Sequence, residues 1–132
     1  MIIGLGTDLC NIGRIKKTLE HFGDRFTHRL YTEQERFRAD RRWERRASRY
    51  AQMFAAKEAC SKALGTGFRQ GVFWRDMEVV HLPSGKPTLA ITGGAADRLA
   101  KLTPTGKKAM AEVSLTDESG LANAVVVLYW ID

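Results

Sequence analysis

Only two cysteines occur in the 132 residues, Cys10 and Cys60. They are too few and too far apart for a disulfide framework, and with no CxxC or Cys/His spacing they suggest no zinc site. Two reduced, partly buried thiols are expected. Proline is scarce too, at three, and there is no low-complexity tract, so disorder is expected only in short loops. The longest apolar run, Ala124 to Ile131, is far short of the roughly 20 residues that cross a bilayer. The N-terminal MIIGLGTDL has no basic residues ahead of its apolar segment and reaches Asp8 too soon for a signal peptide. A cytoplasmic protein with no membrane partner is therefore expected. Acidic residues are the remaining shortage: 15 against 21 Lys and Arg, for a formal charge of +6. That imbalance points to an anionic partner, whether nucleic acid, membrane surface, nucleotide or acidic protein. It is concentrated in RFRADRRWERRASR, residues 36 to 49, where seven arginines face only Asp40 and Glu44.

What is present suits a single domain, 1–132, with one core. Met1 to Ile12 reads as a strand of glycines alternating with β-formers. Gly4, Gly6 and Asp8 share one face, while Ile3, Leu5 and Leu9 share the other. A carboxylate thus stands on a face bare enough for a ligand or another backbone to come close. Arg14 to Phe22 carries Ile15, Leu19 and Phe22 at helical spacing and stops at Gly23. TEQE, beginning at Thr32, is a capping-box pattern in which Glu35 reaches back to the cap. The arginine-rich segment after it is expected to be helical, with Arg42, Arg45, Arg46 and Arg49 along one side. A further helix is expected from about Ser48 or Tyr50 to Gly65. Asp76 to Leu82 and Pro87 to Ile91 read as a hairpin, Ala95 to Leu102 as a short amphipathic helix, and Ala109 to Leu115 with Leu121 to Ile131 as a second hairpin, turned at TDESG. The order is strand, three helices, hairpin, helix, hairpin.

In FAAKEACSKALGTGF, residues 54 to 68, Ala56, Ala59, Cys60 and Ala63 cluster on one side of a helix. Glu58 lies on another side, with Ala55, Ser61, Lys62 and Gly65, whose small members leave room for something to lie against the helix. Taken alone, Glu58 and Lys62 are an exposed i,i+4 pair of about 0.3 to 0.5 kcal/mol, Gly65 a helix stop and Asp8 a turn former or cap. Together they match a phosphate-transfer site. A hard divalent cation takes one or two carboxylates and completes its shell with water and phosphate oxygens. Asp8 and Glu58 supply two, Lys62 a point charge for the phosphate, and the glycines of the loop allow backbone N–H groups to approach the same anion.

The chain resembles the bacterial holo-acyl-carrier-protein synthases, the short type of 4′-phosphopantetheinyl transferase. The resemblance rests on GLGTDL at 4 to 9, FAAKEACSKALGTG at 54 to 67, DMEV at 76 to 79, GKP at 85 to 87 and VSLTD at 113 to 117. These occur in family order over nearly the whole chain. The resemblance implies the 4′-phosphopantetheinyl transferase fold: α+β, with a small mixed or antiparallel sheet packed with helices, and a homotrimer assembled through the sheets with active sites at subunit boundaries. It implies Mg²⁺, with Mn²⁺ as the alternative, on Asp8 and Glu58, and catalysis by those two and Lys62. It implies coenzyme A as substrate, held by Lys62, Gly65, Thr66, Gly67, Arg49, Lys86, Pro87 and Ser114. The serine of apo acyl carrier protein attacks the β-phosphate in that family, in fatty acid biosynthesis, and adenosine 3′,5′-bisphosphate leaves. The proton acceptor stays open between Glu58, a metal-bound water and Glu35. Since such carriers are small and acidic, Arg14, Arg42, Arg45 and Arg46 are expected to dock them.

Two positions depart from the family pattern. Many relatives have histidine before VSxT, where this chain has Glu112, and arginine before the phenylalanine of FAAKEA, where it has Met53. Both belong to the coenzyme A neighbourhood, and Arg49 stands one turn before Met53. If Arg49 does not reach that region, a weaker grip on the nucleotide 3′-phosphate is expected. A basic nucleic-acid-binding module is the competing class, but no interleaved aromatic platform or zinc module accompanies the charge, and no nucleic-acid partner is expected. The apolar residues on both faces of Val125 to Trp130 suit either a trimer contact or the central strand of a monomer.

Overall fold

Helix α4 (Arg46–Ala63) is the axis of the molecule, because the three-stranded sheet and most of the other elements that carry core residues pack against it. The computed structural model describes all 132 residues. Strand β1 (Ile2–Asn11) leads into α1 (Ile12–Phe22), α2 (Asp24–Leu30) and α3 (Glu33–Asp40), and a 3₁₀ turn at Trp43–Arg45 precedes α4. A second 3₁₀ turn at Trp74–Asp76 opens the hairpin β2 (Met77–His81) and β3 (Pro87–Ile91); α5 (Gly93–Leu102), β4 (Lys108–Glu118) and β5 (Leu121–Ile131) follow.

The α+β class holds, with a refinement of the sheet. There are two: a three-stranded sheet in the order β1-β5-β4, and the separate hairpin β2-β3. Every pairing is antiparallel, so nothing is mixed. β5 is the central strand. Its Ala122, Ala124, Val126 and Leu128 are buried towards α4, while Val125, Val127 and Tyr129 are half-buried on the outer face. On that outer face Leu5 pairs with Val127, and Leu5 and Leu9 of β1 remain 66% and 63% exposed. The β4–β5 turn is two residues, Ser119 and Gly120, both at positive φ (52° and 80°). This is the twist that a tight hairpin requires, so Asp117 stays in the strand rather than the turn.

The capping box at Thr32 is formed. The Glu35 backbone N–H donates to Thr32 Oγ1 (3.3 Å) and the Thr32 N–H to Glu35 Oε1 (2.9 Å). The helix it starts does not run on through the arginines, which corrects the expected row of Arg42, Arg45, Arg46 and Arg49. α3 ends at Asp40, Arg42 is extended (φ −123°, ψ 102°), and α4 begins at Arg46. A continuous helix would stack like charges at i, i+3 and i+4, which is unfavourable. The break instead lets Arg46 Nε reach Asp40 Oδ1 at 2.6 Å and lie over the Trp43 ring at 4.4 Å. The seven-residue α2 was not foreseen: DRFTHRL is short and carries no apolar stripe of its own, but its Thr27 and Leu30 are buried by tertiary packing.

Candidate functional site

The site begins where β1 crosses α4. A Cβ on Gly4 would stand 2.0 Å from the Ala63 carbonyl oxygen, and one on Gly6 would stand 1.8 Å from that of Ala59. The bare strand face therefore receives another backbone, not a ligand. Only glycine permits this approach, and the alanines of α4 supply the matching flat surface. The room expected beside Glu58 is also filled, since Ala55 and Ser61 are buried. With strand and helix in backbone contact, Asp8, two residues beyond Gly6, comes to the same corner as Glu58 and Lys62. Lys62 Nζ donates to Asp8 Oδ1 at 3.3 Å and to the Thr7 carbonyl at 3.0 Å. Asp8 is largely covered, its side chain 16% exposed, whereas that of Lys62 is 53% exposed.

The charges at this corner are out of balance. Burial, and then the neighbouring Asp8, push the Glu58 carboxyl above its ordinary value, and Lys62 opposes them. Cys10, buried between the same groups, is pushed up to about 11 by burial and by Asp8, with Arg14 pulling the other way. Arg14 is therefore within electrostatic reach of Cys10. Two crowded carboxylates from two different elements fit a hard divalent cation. No cluster of three or more His, Cys, Asp or Glu exists in the chain, so such an ion would draw its remaining oxygens from water and from a ligand, as suits a substrate-bridging metal. Softer metals, which favour Cys or His, are not matched.

One turn further on, α4 ends in the GTG loop. Gly65 and Gly67 take positive φ (79° and 62°), Gly67 N–H donates to the Ser61 carbonyl at 3.1 Å, and Thr66 Oγ1 donates to the Gly67 carbonyl at 2.9 Å. Gly65 and Lys62 are exposed on the stripe that contains Glu58.

The other expected coenzyme A residues lie elsewhere in the protomer. Ser114 and Glu112 alternate on the outer face of β4, opposite Val125 and Val127, across the sheet from Asp8. Lys86, in the turn before Pro87 and β3, is spent on Glu112 at 2.9 Å. Arg49 and the buried Met53 line one small cavity of about 50 Å³ with Arg38, Gln52, His81 and Leu115. Arg49 Nη1 there donates to the Arg38 carbonyl at 2.7 Å. His81 Nδ1 is buried in this region without a partner, and burial, with Arg38 and Arg49, lowers its pKa. Arg42 and Arg45 are exposed and form no ion pair.

Lys57 was not singled out from the sequence. It is fully buried, and its ammonium donates to Glu35 Oε1 (2.9 Å), the Trp74 carbonyl (3.0 Å) and the Met77 carbonyl (2.8 Å). Glu35 Oε2 accepts from the Val79 N–H at 2.9 Å. One buried ion pair thus ties α3, α4 and β2 together next to Glu58. A lysine followed by glutamate in an alanine-rich helix carries no sign of which one is buried. Glu35, 1% exposed and held by three donors, sits in this structural knot and not at the corner of Asp8, Glu58 and Lys62.

The model of the 4′-phosphopantetheinyl transferase superfamily matches residues 4–116. The chain is 66% identical over 128 residues to a holo-[acyl-carrier-protein] synthase of Methylobacterium nodulans, covering 97% of this chain and 96% of that one. In fold it is similar to the holo-[acyl-carrier-protein] synthase of Neisseria meningitidis (TM-score 0.84, 32% identity, 98% and 99% of the two chains). It is also similar to the holo-(acyl-carrier-protein) synthase of Bacillus anthracis in complex with CoA (3′,5′-ADP) (TM-score 0.78, 36% identity, 97% and 96%). No helix is long and apolar enough to cross a membrane.

Proposed function

The chain belongs to the 4′-phosphopantetheinyl transferase superfamily, among its holo-[acyl-carrier-protein] synthases, and from this we propose the reaction that its corner of Asp8, Glu58 and Lys62 performs. The 4′-phosphopantetheine arm of coenzyme A passes to a serine of apo acyl carrier protein, in fatty acid biosynthesis in the cytoplasm. The serine oxygen forms a bond to the β-phosphorus, the bond from that phosphorus to the bridging oxygen breaks, and adenosine 3′,5′-bisphosphate leaves with the electron pair. The observation that carries this reading is the backbone contact of β1 with α4, which sets Asp8 and Glu58 together and leaves Lys62 half-exposed beside them.

Asp8 and Glu58 would hold Mg²⁺, or Mn²⁺, whose charge when bound would neutralise the diphosphate as it develops negative charge. Lys62 is paired only loosely with Asp8 and exposed enough to turn its ammonium onto a phosphoryl oxygen. The loop Gly65, Thr66 and Gly67 offers backbone to the same anion. Glu58 receives the serine proton directly or through a water. Glu35 is unsuited, being committed to Lys57 and the Thr32 cap.

Ser114, Glu112 and Lys86 cannot serve the Asp8 corner of their own protomer, because the sheet lies between. The apolar outer face, with exposed Leu5 and Leu9 beside half-buried Val125 and Val127, supports a homotrimer in which a second copy covers that face and brings these residues to a neighbour's site. Arg49 then holds the 3′-phosphate from its cavity with Met53. Arg14, whose charge reaches Cys10, docks the acidic carrier, with Arg42, Arg45 and Arg46 steering its approach.

Intact mass of apo acyl carrier protein after incubation with the protein, coenzyme A and Mg²⁺ tests the reading. A phosphopantetheine mass gain that is lost with EDTA and with Asp8→Ala is expected; no gain, or a gain that survives both, refutes it.

A further inference from the structure

Helix α4 presents its C-terminal end to the proposed phosphates, and that end of a helix carries partial negative charge, equivalent to about half an elementary charge. The GTG loop alone would therefore bring an anion to the wrong end of the dipole. The structure places one group against this: Arg98 of α5. Its Nε donates to the Leu64 carbonyl at 3.0 Å, one of the last carbonyls of α4. Its Nη2 lies so near Gly65 that a Cβ there would meet it at 3.5 Å. Arg98 is only partly exposed, makes no ion pair, and its Nη1 and Nη2 hydrogen bond to nothing else in the protein. A guanidinium anchored through Nε alone, with its fork unspent beside an exposed glycine, is arranged to receive an anion in bidentate fashion. Glu58 and Lys62 fall at i and i+4 on one side of α4, and Gly65 follows just past its end, so Arg98 extends the row beyond Lys62.

Resting on the reading of this site as a coenzyme A site, we propose that Arg98 is a substrate-binding residue, presenting its fork across Gly65 to a phosphate of the nucleotide while its bond to Leu64 neutralises the end of α4. It acts with Lys62 and is not needed for the proton or the metal. Its loss therefore shows in binding of coenzyme A and leaves use of the carrier untouched.

The test compares wild type with Arg98→Met, which keeps the stem and removes the charge, and with Arg98→Lys, which keeps the charge and removes the fork. Calorimetry with coenzyme A and Mg²⁺ gives Kd, the mass assay gives KM for coenzyme A and for the carrier, and thermal melting reports the fold. Arg98→Met is expected to raise Kd and KM for coenzyme A by ~10-fold, with KM for the carrier unchanged, and Arg98→Lys to fall between. If Arg98→Met does not fold, the lysine variant decides, since a several-fold rise in Kd is expected of it. Coenzyme A binding equal to wild type in the folded variant refutes the proposal, as does a rise in both KM values in proportion to a lost Tm, the mark of a purely structural arginine. When wild type transfers phosphopantetheine, such results sink Arg98 alone; when wild type transfers none, the site reading falls and this inference falls with it.

Discussion

Replacing Gly6 by alanine puts the β1–α4 contact to the test. The new Cβ would lie 1.8 Å from the Ala59 carbonyl oxygen, 2.8 Å from its carbon and 2.9 Å from the Ala63 nitrogen. All three are helix backbone, so no rotamer change relieves the clash. Reaching an ordinary contact of 3.4 Å needs a separation of about 1.6 Å, and Gly4, pressed against Ala63 one pleat away, prevents the strand from tilting locally. Overpacking of this kind costs about 1 to 3 kcal/mol, and a rigid backbone obstacle puts it at the upper end. In a chain of this size ~3 kcal/mol lowers Tm by about 10 °C. The same displacement parts Asp8 from Glu58, whose neighbour Ala59 is the residue struck. A misplacement of about 1 Å can remove ~10²-fold in rate, so kcat/KM is expected to fall at least that far even at temperatures where the variant is folded. Gly13→Ala is the control: its Cβ would meet only the Asn11 Oδ1, at 3.1 Å, and about 1 kcal/mol or less is expected. Thermal melting and the mass assay read both variants. A Gly6→Ala protein that melts within 2 °C of wild type, by order of magnitude, and transfers at the normal rate would show that the close contact does not build the site.

Lys57→Met strands the buried Glu35 carboxylate, and a loss of about 3 to 5 kcal/mol is expected in denaturant unfolding; adding Glu35→Gln should restore part of it, and no recovery would mean the ion pair is not the linchpin. Glu58 holds its proton more tightly folded than unfolded, because burial and Asp8 raise its pKa above the ordinary 4.5. Its favourable contribution is thus full below pH 4.5 and is lost as pH rises through the folded value. Glu58→Gln should therefore be more stable than wild type at neutral pH, measured without metal by thermal melting across pH, while transfer drops by ~10²-fold or more; an unchanged pH profile would contradict the crowding of the two carboxylates. Arg45→Glu should raise KM for the carrier by roughly 5- to 10-fold, an effect that shrinks as salt screens it, and a KM unaffected at every ionic strength would remove Arg45 from docking.

Much of the molecule was legible because local rules sufficed. The Thr32 capping box, the Gly23 stop, both hairpins and the alternation of β1 follow from short-range chemistry, although the second hairpin turns at Ser119 and Gly120 and not across TDESG. The arginine segment was misread because periodicity counts positions and not the repulsion of like charges, which Asp40 and Trp43 relieve by breaking the helix. Lys57 was missed because a buried ion pair depends on a partner 22 residues away, and nothing in KEA itself says which side faces inward.

For the site, the sequence determined the parts: two carboxylates, a lysine one turn from the second, a glycine-lined strand and a glycine-closed helix, since those fix which chemistry is available. The tertiary structure decided how they meet. It showed that Gly4 and Gly6 admit the helix backbone and not the ligand, that Lys86 is held by Glu112, and that Ser114 stands across the sheet from Asp8. It also brought Arg98, silent in an ordinary amphipathic helix, to the end of α4. Contact between residues distant in the chain is set by how whole faces pack, and a one-dimensional pattern shows which faces exist without showing which of them touch.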